Sequence, residues 1–117
     1  MIMRLSEKQQ IFTACIGKLI LFASSKEYGL TQGDGYRDPR VFGEMGEKRS
    51  YASKNSVHKI RLAHDFNLFV KGEFISDGGH PAWLELGEHW ECLHKDARWG
   101  GRFDDANHFS FEHWGCK

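Results

Sequence analysis

Leu62-Ala63-His64-Asp65-Phe66-Asn67-Leu68-Phe69-Val70-Lys71-Gly72-Glu73-Phe74-Ile75 is the stretch that decides the fold. Successive side chains of a strand point to opposite sides. Leu62 to Val70 reads as such a strand, with Ala63, Asp65 and Asn67 on one face and Phe66 and Leu68 on the other. Lys71-Gly72 supplies a tight turn, so Glu73-Phe74-Ile75 is expected to return as a partner strand. Asp77-Gly78-Gly79 then breaks the sheet.

Working outward, Pro81 is suited to the first turn of a helix, which is expected to run to about His94 with Trp83, Leu86, Trp90 and Leu93 near one face. A glycine-containing loop, Arg98 to Asp104, leads to a final strand around His108–Phe111. On the other side of the hairpin, residues 47–57 are polar and read as loop. Asp38-Pro39 forms an N-cap and first-turn pair for a short helix ending near Gly46. Gly29 and Gly33-Asp34-Gly35 end regular structure before it. Ser6 followed by Gln9 has the form of a capping box. After it, Phe12, Cys15, Ile16, Leu19 and Ala23 keep helical spacing over about five turns. Helices, a hairpin, a helix and a strand make an α+β fold, a small antiparallel sheet backed by helices.

A chain of 117 residues is expected to form one domain over 1–117, burying roughly two-thirds of its unfolded surface. Sixteen basic and 16 acidic residues cancel. That balance gives no basic stripe for nucleic acid and no polybasic run for a membrane surface. The expectation is a monomer whose partner is found by a specific site. Cys15, Cys92 and Cys116 are a poor disulfide framework and fit synthesis in a reducing compartment. Ile11 to Ala23 is the most apolar segment, too short to span a bilayer and interrupted by Lys18. Glu7, Gln9 and Gln10 before it are unlike the basic start of a signal peptide, so the expected place of synthesis is the cytoplasm.

His58, Asp65 and His108 carry the chemistry. Two imidazoles and one carboxylate can hold a catalytic zinc that keeps a position open for water, and a nearby carboxylate, Asp105, could act as general base in amide hydrolysis. Each residue also has a plainer reading. A lone histidine near a strand can be structural, Asp65 can be an edge charge, and Asp105 can cap a turn or cede the role of base to Asp104. A second grouping, His89, Cys92 and His94 with His113 and Cys116, competes as a structural zinc site, although 89, 92 and 94 do not share a helix face. A nucleophilic Cys92 or Cys116 has no local activating group.

Ser56-x-His58-x-x-x-x-Ala63-x-Asp65 resembles the S-x-H-x-x-G-x-A-x-D motif of the zinc D-Ala-D-Ala peptidases. That family includes VanX-type dipeptidases, VanY-type carboxypeptidases and the L-alanyl-D-glutamate endopeptidases used as phage endolysins. Asp105-Ala106-Asn107-His108-Phe109 resembles its second signature, and Gly35-Tyr36-Arg37 its G-Y-R segment, so the likeness spans roughly residues 33–112. The resemblance implies one zinc ion on the sheet face, held by His58, Asp65 and His108, with Asp105 as general base. It also implies that Arg37 binds the substrate and stabilises the oxyanion, and that Ser56 supports the substrate or the first ligand. Arg61 stands in the motif's glycine slot, and the base is Asp rather than the Glu of the VanX type, as in the endolysin branch.

The activity so implied is peptidoglycan hydrolysis at a stem-peptide bond, L-alanyl-D-glutamate first. It would come from a catalytic domain without a separate cell-wall-binding module, made in a host cytoplasm and acting on the wall after release by a holin. The rivals are a D-alanyl-D-alanine carboxypeptidase or dipeptidase and a non-catalytic, zinc-stabilised wall-binding module.

Overall fold

The computed structural model describes residues 3–48 and 55–117. Their order is α1 (Leu5–Ser25), β1 (Tyr28–Gln32), α2 (Pro39–Phe42), a 3-10 helix (Val57–Ile60), β2 (Ala63–Val70), β3 (Glu73–Phe74), α3 (Pro81–Leu93), β4 (Ala97–Trp99), a second 3-10 helix (Gly100–Phe103) and β5 (His108–Phe111). The strands form one five-stranded antiparallel sheet in the order β1-β2-β5-β4, with β3 also paired to β2. The expected α+β class is what the chain adopts.

The sheet packs against α1 and α3 through one apolar face. Helical spacing places Phe12, Cys15, Leu19 and Ala23 of α1 in the core, beside Trp83, Leu86 and Trp90 of α3. Phe66 and Leu68 of β2 and Phe109 and Phe111 of β5 meet them from the sheet. Phe12 lies edge-on to Trp90 at 5.6 Å and to Phe111 at 5.2 Å, the arrangement aromatic quadrupoles favour. Trp90 Nε1 donates to both Arg98 O and Ser110 O at 3.1 Å, so the buried indole spends its polar atom pinning α3 to β4 and β5. Alternation then leaves Asp65 and His108 on the other face.

The hairpin turns at Lys71 and Gly72, both with positive φ (53° and 79°), as a two-residue turn of this kind requires. Pro81 opens α3 as expected, with His80 Nδ1 accepting from the Ala82 amide.

Four local expectations are corrected. Ser6 does not cap α1. The helix starts at Leu5 with Arg4 at the N-cap and no side-chain cap, and Gln9 Nε2 instead donates to Ile60 O at 2.8 Å, a tertiary bond that ties α1 to the segment before β2. The stretch around Gly29 is not irregular but forms β1, paired with β2 from Tyr28↔Val70 to Gln32↔Phe66. Part of the expected loop at Arg98 to Asp104 is β4 and a 3-10 turn. The short helix α2, capped by Asp38, ends at Gly43 (φ 87°) rather than near Gly46. Of the loop expected over 47–57, residues 49–54 lie outside the described residues, and Val57 already belongs to the first 3-10 helix.

Arg61 closes that 3-10 helix in the left-handed conformation, φ 59° and ψ 34°. A glycine in the corresponding slot of the motif would adopt it freely, whereas a Cβ costs roughly 1 kcal/mol there. The guanidinium recovers part of that cost by lying 3.9 Å over the Tyr36 ring. Arg61→Ala keeps the strain and loses the stacking, so it is expected to lower stability by about 0.5–1 kcal/mol. Arg61→Gly also removes the strain and should stay within about 0.5 kcal/mol of wild type. Parallel denaturant titrations check this, and equal losses in the two variants would refute the backbone explanation.

Candidate metal centre

Register builds the site. β2 pairs with β5 so that Asp65 lies directly opposite His108, which puts both side chains on the same face a cross-strand distance apart. The backbone of Asp65 is fixed from the other side as well. Gly33 N donates to Asp65 O at 2.8 Å, and Asp65 N to Asp34 O at 2.7 Å, so the pairing begun by β1 runs on to the site. The first 3-10 helix delivers His58, and its N-cap Ser56 accepts from the His58 amide at 3.2 Å.

His58 and His108 are buried, 1% and 5% exposed. His58 Nδ1 lies 2.7 Å from Gly35 O. A carbonyl oxygen only accepts, so Nδ1 carries a proton, and in the neutral ring Nε2 is the atom left to act as a ligand. Nε2, buried and without a hydrogen-bond partner, faces Asp65 Oδ1 at 3.3 Å. His108 Nδ1 approaches the same oxygen at 3.2 Å. Lone pairs converging this closely need a proton or a cation between them. In a tetrahedral zinc site with bonds of 2.0–2.2 Å, neighbouring ligand atoms stand about 3.3–3.5 Å apart. The separations observed here fit that edge. All three ligand atoms lie within 4.8 Å of one another, so the triad could hold a metal ion.

Burial by itself would raise the Asp65 carboxyl, but the His108 and His58 imidazoles beside it outweigh that and hold it far below the usual carboxylate range. It is therefore anionic, as a ligand must be.

Arg37 stands against the triad. Its backbone amide donates to His58 O at 3.0 Å, and its guanidinium donates to Ser56 Oγ at 3.0 Å and to Asp34 Oδ2 at 3.4 Å. It lies 4.0 Å from Asp65 Oδ2. Ser56, itself buried, thus supports both the His58 backbone and Arg37. Asp105 is half-exposed and puts its Oδ2 3.9 Å from His108 Nδ1. Partial desolvation raises its carboxyl, helped by the charge of Asp65 and opposed by His108. Arg37, His58, His108 and Asp105, together with Asn55, Ser56, Phe103 and Lys117, line a cleft of about 210 Å³.

Sequence had left Asp104 as a rival to Asp105. Asp104 lies outside this cleft and lines two neighbouring cavities instead. The second metal grouping does not assemble among the described residues. His89 stacks on Phe22 at 3.9 Å, His94 stacks on Phe111 at 4.5 Å, and His113 Nδ1 sits 3.3 Å from Lys8 Nζ. The cysteines are free, with Cys15 in the core. Sequence reasoning missed the Gly35 carbonyl, which sets the His58 tautomer, as well as Asp34, Phe103 and Lys117. Nothing in their spacing marks them, because Asp34 and Gly35 reach the site through the turn after β1, Phe103 through the 3-10 helix after β4, and Lys117 through the segment after β5.

No protein-family model matches the chain, and no curated protein matches it.

Proposed function

We propose that the chain is a zinc-dependent peptidase that hydrolyses an amide bond in peptidoglycan stem peptides, the L-alanyl-D-glutamate bond first. The observation that carries this reading is the convergence of His58 Nε2 and His108 Nδ1 on Asp65 Oδ1 at 3.3 and 3.2 Å, with a carboxylate and a guanidinium in the same cleft. Two neutral imidazole nitrogens and a carboxylate are borderline donors that suit zinc. The motif resemblance, carried by Ser56, Ala63, Arg37 and Phe109 beside the triad, supports the wall substrate.

When bound, zinc supplies Lewis acidity, which makes a nucleophile available from water near neutral pH and polarises the scissile carbonyl. The remaining work falls to the chain's own groups. Gly35 O holds the His58 ring in the tautomer that offers Nε2. Asp105 takes the proton from the attacking water and returns it to the departing amine nitrogen, giving one free carboxyl and one free amine. Arg37 donates to the oxyanion that develops on the carbonyl oxygen, oriented beforehand by Ser56 and Asp34. A module that only bound the wall would need neither Asp105 nor Arg37 in the cleft, which favours the enzymatic reading. No helix among the described residues is long and apolar enough to cross a membrane. In the proposed setting, the protein is made in a host cytoplasm and reaches the wall by separate release, working there as a monomer.

Purified protein is expected to hold one zinc per chain and to shorten stem peptides with new N-terminal D-glutamate visible by mass spectrometry. Chelation should abolish the products and zinc should restore them. Released D-alanine would reassign the enzyme to the terminal bond, and an unchanged muropeptide profile from zinc-loaded protein would end the enzymatic reading.

A further inference from the structure

Along one edge of β2 the sheet is broken. Pairing with β5 ends at Asp65↔His108, and pairing with β3 begins only at Phe69↔Phe74. Single backbone bonds hold the two rims of the break, Phe66 N to Asn107 O at 3.0 Å and Ile75 N to Leu68 O at 2.8 Å. A cavity of about 320 Å³ opens there, within the size range of ligand pockets. Phe66, Ile75 and Trp83 give it an apolar lining, and Asn67 and Asn107 border it. Both asparagines are partly buried, and among the described residues neither carboxamide has a hydrogen-bond partner. A carboxamide donates and accepts at once, so the pair matches a peptide group.

Asp105 lines this cavity and the triad cleft alike, so the two spaces adjoin at the proposed base. Asn67 follows Asp65 by two positions on the same face of β2, about 6.6 Å along the strand. The base returns its proton to the departing amine, which places that half of a substrate on the Asp105 side. Arg37, which serves the acyl half, lines the triad cleft and not this cavity. Charge then limits what can follow the cut. Among the described residues no basic side chain borders the cavity, whereas Asp104 and Asp105 do. A chain ending there would set its terminal carboxylate against like charge with no cation to receive it. A chain that continued would place an uncharged amide there instead.

We propose that this cavity is a subsite for the peptide chain beyond the cut, on the departing-amine side, where Asn67 and Asn107 bond the next amide. The substrate class is then a chain cut internally, as opposed to one releasing a terminal residue. This rests on the peptidase reading and adds to it where the substrate continues. Neither asparagine touches the reacting atoms, so the effect of both falls on affinity.

Two peptides sharing the L-alanyl-D-glutamate bond test the idea, one ending at the glutamate and one continued through its γ-carboxyl by an amidated glycine. Zinc-loaded wild type is expected to favour the continued peptide by about tenfold in kcat/KM. Asn67→Ala and Asn107→Ala should each cut that preference about threefold through KM, with kcat within about twofold. A second readout needs no turnover. In 15N-labelled wild type, the N-acetylated departing half of the continued peptide should shift the side-chain NH2 resonances of Asn67 and Asn107, which the two variants identify by their loss. Equal cleavage of the two peptides, a preference that both variants retain in full, or NH2 resonances that do not move each overturns the subsite and leaves the peptidase standing. Cleavage of neither peptide by wild type overturns the peptidase reading, and the subsite with it.

Discussion

Asp105→Asn is expected to lower kcat by about 10²–10⁴, the usual worth of a positioned general base, while zinc content and folding stay as in wild type. Asparagine matches the carboxylate in size but cannot take a proton from water. The substitution is structurally quiet. The Asp105 side chain is 52% exposed, and the site group that approaches its carboxylate, His108 Nδ1, is 3.9 Å away. What fixes this segment is backbone, through Asp105 N to Gly100 O at 2.8 Å and His108 N to Asp105 O at 3.0 Å, and the exchange leaves both bonds intact. The three ligand atoms are likewise untouched. Metal content by elemental analysis, thermal unfolding and kcat on stem peptides should therefore separate, with only the last collapsing. Asp104→Asn is the internal control. Asp104 sits in the left-handed region at φ 60°, where asparagine is well tolerated, and it lies outside the cleft. Its turnover should stay within about twofold of wild type. If the two variants lose turnover equally, or if Asp105→Asn retains it, Asp105 is not the base.

Asp105 and His108 were legible because a short acid-x-x-His string before an apolar strand is visible in one dimension, and so was the strand holding Asp65. Their meeting depends on the β2–β5 register, which the buried Phe66 and Leu68 of β2 and a fully buried β5 both enforce. The first and third helices were legible for the same kind of reason, since each has enough turns for its apolar spacing to repeat. β1 and β4 were not. β1 is five residues with a glycine and a largely exposed pattern, and β4 is three residues leading straight into Gly100-Gly101. Pairing with β2 and β5 makes strands of them, and pairing is a long-range fact that local propensity does not carry. The capping box failed likewise, because Gln9 found a better partner in Ile60 O across the fold. The tautomer of His58 belongs to this class too, being set by a carbonyl 23 positions upstream.

The packing that seats the site was also hidden, and Gly100 tests it. A Cβ built there would fall 2.0 Å from Asp105 O and 2.6 Å from His108 Cβ, far inside any tolerable contact. The first of these atoms is backbone, so no side-chain rotation relieves the clash. The Gly100 carbonyl accepts from Asp105 N, and the close approach that this bond demands leaves no room for a methyl group. Gly100→Ala must therefore push the segment 104–108 away from the second 3-10 helix or break that bond. Overpacking of this kind costs about 1–3 kcal/mol and occasionally more, and the loss of a buried backbone bond adds about 1 kcal/mol. The expected result is a fall in unfolding free energy of about 2–4 kcal/mol, together with weakened zinc binding, because the displaced segment carries His108 as well as Asp105. Gly17→Ala supplies the comparison, since its Cβ meets nothing within 4 Å on α1 and alanine should hold or raise stability there. Denaturant unfolding with and without zinc measures both effects. If Gly100→Ala unfolds like wild type and binds zinc as tightly, close packing at Gly100 is not what seats His108.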